Sequence, residues 1–174
     1  AELDLRGDAV DYFHGLKEHL DPRNLDFAQV RRVLGPLLAD PDVQKVGQNL
    51  KYDLQVLARH GLPVKGLAGD SMVQSYLLDS RLRHNLDDLS VRVLDLKPIP
   101  FEDVVGKGKG QLRFDQADFD KAVQYAAEDA DIALRLAQAL EPQVVSMGLG
   151  ALYRDVEVPL VEVLAELEFN GIRV

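Results

Sequence analysis

A chain of 174 residues with 47% apolar content is long enough for one packed domain, or one domain and part of another, and too apolar for a disordered protein. Lys and Arg number 20 against 29 Asp and Glu, and the resulting charge of −9 excludes a protein that holds nucleic acid through a broad basic face; a polyanionic substrate would need metal ions or a few placed cations. The absence of Cys excludes a disulfide framework and thiolate metal sites. No apolar run reaches the length of a membrane span and Ala1-Glu2-Leu3-Asp4 is unlike a signal peptide, so a soluble, intracellular, cytoplasmic protein is expected.

Gly7-Asp8 reads as a turn and Ala9 to Phe13 as a short strand, with no chemistry placed there. Asn24 is the expected cap of a helix over about residues 25–39, where Phe27, Val30, Val33, Leu34, Leu37 and Leu38 recur at helical spacing; Pro36 inside it predicts a kink or split. Asp40-Pro41-Asp42 makes a turn, and Val43 to Val46 is a short buried strand. After Gly47-Gln48-Asn49 the period changes. Leu50, Leu54 and Leu57 mark a helix that stops at Gly61, with Asn49 as its N-cap. Asp53 falls in the first turns, off much of the leucine stripe and beside Tyr52, where it could serve only to complement the helix dipole.

An apolar piece around Leu67 and Ala68 leads to Asp70-Ser71, a structural cap for a helix through Met72, Val73, Tyr76, Leu77 and Leu78. Arg81-Leu82-Arg83-His84 is a compact basic cluster that could meet phosphate, followed by Asn85 as cap of a helix carrying Leu86, Leu89, Val93 and Leu94. Pro98 and Pro100 stop regular structure, and Phe101 begins a short turn ending at Gly106. Gly106-Lys107-Gly108-Lys109-Gly110 is a flexible basic loop without the Lys-Ser/Thr ending of a nucleotide P-loop.

Asp115 or Asp118 opens a long helix with Phe119, Val123, Ile132, Leu134, Leu136 and Leu140 as its apolar surface, and Pro142 should bend or interrupt it. Within it, Tyr125-Ala126-Ala127-Glu128-Asp129-Ala130-Asp131 sets a phenol and a carboxylate one turn apart on one face, beside alanines thin enough for other backbone to approach. Alone, that is an alanine-rich helix with solvated charges; a second carboxylate in a comparable setting would make it chemistry. A break at Gly148 and Gly150 precedes a helix from Tyr153 to Phe169, interrupted near Pro159 and stopped at Asn170-Gly171; Ile172-Arg173-Val174 begins a strand. Short strands alternating with helices indicate an α/β domain with a helix-rich second half.

Two separated stretches, Lys45-Val46-Gly47-Gln48-Asn49-Leu50-Lys51-Tyr52-Asp53 and Tyr125 to Asp131, closely resemble the second and third exonuclease motifs of bacterial family A DNA polymerases. Phe101-Glu102-Asp103, the Gly-Lys loop with Gln111-Leu112, and the C-terminal Glu157-Val158-Pro159-Leu160-Val161 and Glu168-Phe169-Asn170-Gly171 are also similar to that family. The resemblance implies a ribonuclease-H-like 3'-5' exonuclease fold, a mixed sheet flanked by helices, over residues 1–148, and the start of a polymerase domain over 149–174. It further implies two Mg²⁺ or Mn²⁺ ions, hard cations suited to oxygen ligands, with Asp53 and Asp129 as metal ligands and Tyr125 orienting the attacking water. Gln48, Asn49, Tyr52, Arg83 and Phe101 would hold the 3' end of single-stranded DNA, in a monomer attached to the remainder of a polymerase chain.

The family's first motif, an Asp-x-Glu on the opening strand, has no counterpart there: Glu2-Leu3-Asp4 has the spacing in reverse order. The expectation is therefore a domain shortened at its N-terminus, or one whose site has decayed, with weak metal binding and impaired hydrolysis. Two alternatives stand beside it. One is a noncatalytic domain that positions a polymerase or binds frayed DNA; the other is a ribonuclease D type exoribonuclease, which shares the Tyr-x-x-x-Asp motif.

Overall fold

Apolar residues at helical spacing produce the first element of the computed structural model, which describes residues 23–171. The turn at Gly7-Asp8, the strand over 9–13, Glu2-Leu3-Asp4 and the strand at 172–174 lie outside those residues. Helix α1 (Phe27–Ala39) starts after Asp26, not Asn24: Asp26 is extended, and its carbonyl accepts from Gln29 N at 2.9 Å and Val30 N at 3.1 Å. Pro36 does not split α1 into two elements. It lies in the last turn, where its carbonyl accepts from Asp40 N at 3.1 Å.

Strand β1 (Lys45–Gly47) pairs in parallel with β2 (Leu67–Asp70), Val46 opposite Gly69 and Gly47 opposite Asp70. The expected strand begins later than Val43 and is half-buried, and the pair is the only pairing among the described residues, where a mixed sheet was expected. Helix α2 (Leu50–Arg59) is the crossover that a parallel pair requires. Gly66, at φ +74°, fixes the entry to β2; a Cβ there would lie 2.6 Å from Pro41 O and 2.7 Å from Val43 O.

Helix α3 (Ser71–Leu78) follows β2 directly, and α4 (Leu86–Leu89) runs on into a π-helical turn over Ser90–Leu94. After the prolines, α5 (Phe101–Val105) is short. Helix α6 (Phe119–Ser146), capped by Asp118, is a single rod of 28 residues. Pro142 does not interrupt it: the lost backbone bond is local, and Gln143 Nε2 donates to the Ala139 carbonyl at 3.0 Å within the same turn. Helices α7 (Gly150–Leu152) and α8 (Val158–Asn170) are joined by a second π-helical turn, Tyr153–Glu157, which relaxes the hydrogen-bond ladder where Pro159 has no N–H to give.

α6 is the spine, lying against β1, α3, α4 and α5. Its Ile132 and Leu136 bury against Leu89, with Leu86, Val93 and Leu94 around them. One end of it, Val144, packs with Tyr153 and Val158 under Leu67, Val73 and Leu77. Two hydrophobic clusters thus anchor one helix, and the stretch Tyr125 to Asp129 projects beyond the first of them.

Candidate active site

The turn between β1 and α2 holds the first part of the site. Asn49 takes the left-handed conformation, φ 57° and ψ 45°, which Asn tolerates better than most residues. It occupies the N-cap position, but its side chain makes no capping bond. The cap comes instead from Asp70 on the neighbouring strand, whose carboxylate accepts from Asn49 N at 3.1 Å and Leu50 N at 2.8 Å. Gln48 is held at both ends of its amide: Nε2 donates to the His84 carbonyl at 2.7 Å, and Oε1 accepts from Ser71 Oγ.

One turn into α2, Asp53 enters a pocket of about 640 Å³ that Asp129 also lines, together with Gln48, Asn49, Met72, Asn85 and Leu86. The two carboxylates belong to helices 76 positions apart in the chain and share one cavity. Desolvation pushes the Asp53 carboxyl up, and the charge of Asp70 adds to it. Desolvation likewise raises Asp129, with Asp87 and Glu128 adding negative charge, against a hydrogen bond from Tyr125 that favours the anion. Desolvation and the Asp129 anion push the Tyr125 phenol up to about 12, so it remains a neutral donor to that carboxylate. A pocket wall that disfavours each anion in this way favours a cation that neutralises it.

Beside Tyr125 the structure gathers two further rings. Phe101, at the start of α5, lies 5.7 Å from Tyr125 between centroids, and Phe114 lies 6.0 Å from Tyr125 and 6.1 Å from Phe101. Phe101 and Phe114 are within 18° of parallel, and both remain more than two-fifths exposed. Glu128 fixes the approach to this wall by accepting from Ile99 N at 2.6 Å.

Residues 14–145 match the protein family described as 3'-5' exonuclease. The chain belongs to that family. It is 48% identical to DNA polymerase I of Pseudomonas aeruginosa over 154 residues, 86% of this chain and 17% of that protein. It is 46% identical to DNA polymerase I of Rhizobium leguminosarum over 142 residues, 81% of this chain and 14% of that protein. The chain therefore spans well under a fifth of the curated relatives it matches. Among solved structures, the POL domain of Pol1 from M. smegmatis, in complex with DNA primer-template and dNTP, superposes with a TM-score of 0.68 at 28% identity, over 89% of this chain and 24% of that one. NrnC of Brucella melitensis bound to pGG gives 0.65 at 22% identity over 79% of this chain and 64% of that one, a likeness of fold alone.

In the exonuclease domain, then, Asp53, Asp129, Gln48 and Asn49 come together in one pocket, and Tyr125 and Phe101 stand beside it. Tyr52 does not line that pocket and is 66% exposed, and Arg83 points outward, 3.8 Å from Asp88. The expected basic cluster is dispersed: Arg81 closes on Asp79 and holds its carboxyl at about 2, while His84 is buried, stacked 3.7 Å from the Tyr76 ring and bonded to Ser75 Oγ. In the Gly-Lys loop, Lys107 pairs with Glu102. Sequence reading passed over Phe114 and Asp87; only Phe114 left a trace, as a large ring ending a Gly-rich loop that begins near another.

Asp53 and Asp129 offer oxygen-only donors suited to a hard divalent cation, which commonly takes one or two carboxylates, substrate phosphate and water. Among the described residues no group of three or more His, Asp or Glu is placed to hold a metal. The sequence's one Asp-x-Glu, at Asp155 and Glu157, sits in a π-helical turn, where alternate residues diverge instead of sharing a face as on a strand. No described helix is long and apolar enough to cross a membrane.

Proposed function

We propose that this chain is the proofreading exonuclease part of a DNA polymerase I type protein and hydrolyses the 3'-terminal phosphodiester of single-stranded DNA. The observation that carries the reading is the shared pocket: carboxylates from two distant motifs line one cavity, each raised by desolvation, with a neutral phenol donating to one of them. In this reaction water oxygen bonds to phosphorus, the bond from phosphorus to the 3' oxygen breaks, and that oxygen leaves with a proton as the new 3'-hydroxyl. Bound Mg²⁺ or Mn²⁺ supplies the charge that activates water and stabilises the phosphate oxygens.

The chain's own residues do the rest. Asp53 and Asp129 would hold the cation, and Tyr125, whose one O–H is given to Asp129, orients the water by accepting a hydrogen bond from it. Asn49 and Gln48 shape the pocket floor, the Phe101 ring stacks on a terminal base, and Tyr52 and Arg83 lie outward where the strand would continue. Residues 1–148 form the exonuclease-like domain and 149–174 begin the polymerase domain, the boundary falling at Gly148, φ +75°. The protein works as a monomer in the cytoplasm, and two carboxylates alone make metal binding weak and turnover slow.

The test is incubation with 3'-labelled single-stranded DNA and Mg²⁺ or Mn²⁺. Slow stepwise shortening that disappears in Asp53→Ala and Asp129→Ala is expected. Faster cleavage of RNA would instead favour a ribonuclease D type activity. The absence of a third acidic ligand among the described residues favours a noncatalytic strand-binding domain as the second reading; no Mn²⁺ binding by calorimetry, with DNA affinity unaltered by Asp129→Ala, would establish it.

A further inference from the structure

Sequence spacing makes Asp70 the cap of one helix, and the structure makes it the cap of two. Its Oδ1 accepts from Met72 N at 2.9 Å and Val73 N at 3.3 Å, which is ordinary capping of α3. The same oxygen accepts from Asn49 N at 3.1 Å, and Oδ2 serves Leu50 N alone at 2.8 Å. The side chain is buried, at 2% exposure. Asn49 in the left-handed region followed by helical Leu50 turns two successive amides into a concave nest, a shape that receives an anion. Here the anion is internal. The Asp70 amide in turn donates to Tyr153 Oη at 2.8 Å, so the backbone that carries the carboxylate is itself pinned from the π-helical turn before α8.

We infer that Asp70 is a positioning residue of the site: by filling the nest of Asn49 and Leu50 it holds the β1–α2 turn in its left-handed shape and so sets where Asp53, one turn further along α2, enters the pocket shared with Asp129. This rests on the reading of Asp53 and Asp129 as the site's acids. It is distinct from capping in one respect that can be measured. Asp70→Asn keeps an oxygen for Met72, Val73 and Asn49 but puts an N–H where Leu50 N needs an acceptor, so it loosens α2 while sparing α3.

The experiment uses the full chain, with Asp70→Asn and, as a control for cap loss elsewhere, Asp118→Ala, which removes the α6 cap on Lys121 N. Melting temperature, amide exchange, and kcat and KM on 3'-labelled single-stranded DNA with Mn²⁺ are measured for each. In Asp70→Asn, exchange over residues 50–53 should quicken by about 2- to 10-fold with α3 unaltered, the expected effect of one lost hydrogen bond. Its kcat should fall by about 10- to 100-fold at unchanged KM, the usual range for an outer-shell partner. Asp118→Ala should lower the melting temperature and leave kcat alone. An Asp70→Asn chain with wild-type exchange in α2, or with faster exchange but wild-type kcat, overturns the inference. If the unmutated chain does not cut DNA, the proposed function falls, and the exchange result alone decides whether Asp70 holds the turn. Should Asp70→Asn fail to fold, Asp70→Ser, a good cap for α3 too short to reach Leu50, takes its place with the same outcomes.

Discussion

Tyr153 accepts a hydrogen bond at 2.8 Å from the backbone amide of Asp70, 83 positions earlier in the chain, and is only 3% exposed. Desolvation pushes its phenol up to about 12, so the contact persists as a neutral one across the accessible pH range. Tyr153→Phe keeps the ring in its cluster with Val144 and Val158 and leaves a buried amide without its acceptor. The expected loss is about 1–3 kcal/mol, read by urea denaturation at constant slope. A change below a few tenths would show that the amide finds another partner.

The aromatic wall predicts strand affinity without any metal. Phe101→Ala and Phe114→Ala should each weaken binding of single-stranded DNA by about 1–3 kcal/mol, measured by fluorescence anisotropy with chelator present. Because the two rings lie 6.1 Å apart and share Tyr125 as a neighbour, the double variant should lose less than the sum. A Phe114→Ala chain with unaltered affinity would confine stacking to Phe101.

Asp53 and Asp129 predict the pH dependence. Both carboxyls are raised in the folded chain, so the folded state binds protons more tightly than the unfolded state. The associated stability is present below the ordinary aspartate value of about 3.9 and is lost as pH rises through the raised values. Asp53→Asn should therefore raise the melting temperature at about pH 7, with the difference closing towards about pH 3. In the unmutated chain, Tyr125 at about 12 should contribute no alkaline limb to a pH–rate profile below about pH 11.

Leu89 and Leu136 are fully buried against each other's cluster. Leu136→Ala should cost about 2–5 kcal/mol, and a double-mutant cycle with Leu89→Ala should show coupling of about 0.5–3 kcal/mol. Thermal denaturation decides both.

How much of this was legible depended on whether a signal was local. The helices at Ser71, Leu86 and Phe119 follow from apolar period and from Asp70, Asn85 and Asp118, whose side chains bond amides two or three residues away. Asn49 misled because cap residue types were read one turn at a time, whereas its helix is capped by a carboxylate from another strand. Pro142 misled because a proline removes one bond, and tertiary packing of α6 outweighs that loss; Pro36 leaves α1 in one piece although no residue of that helix is buried. Asp53 and Asp129 were singled out through motif resemblance; their common pocket needed the fold. Phe114 and Asp87 were invisible because proximity to Tyr125 and Asp129 comes from chain reversal after Pro98 and at the Gly-Lys loop, which no spacing encodes.

The unbroken run of α6 through Pro142 sets a mechanical tolerance on the whole site. Asp129 stands 13 residues before Pro142, an arm of roughly 20 Å at helical rise. Without a Pro142 N–H, the Gln138 carbonyl lacks its usual donor, and the rod is softest there. A flex of only about 10° at that point would swing the carboxylate by roughly 3 Å, several times the misplacement that costs an active site its rate. Leu140 and Val144, buried on either side of Pro142, act as a splint across this joint. Replacing them would detune the acid pair from a distance, with every residue of the pocket still in place.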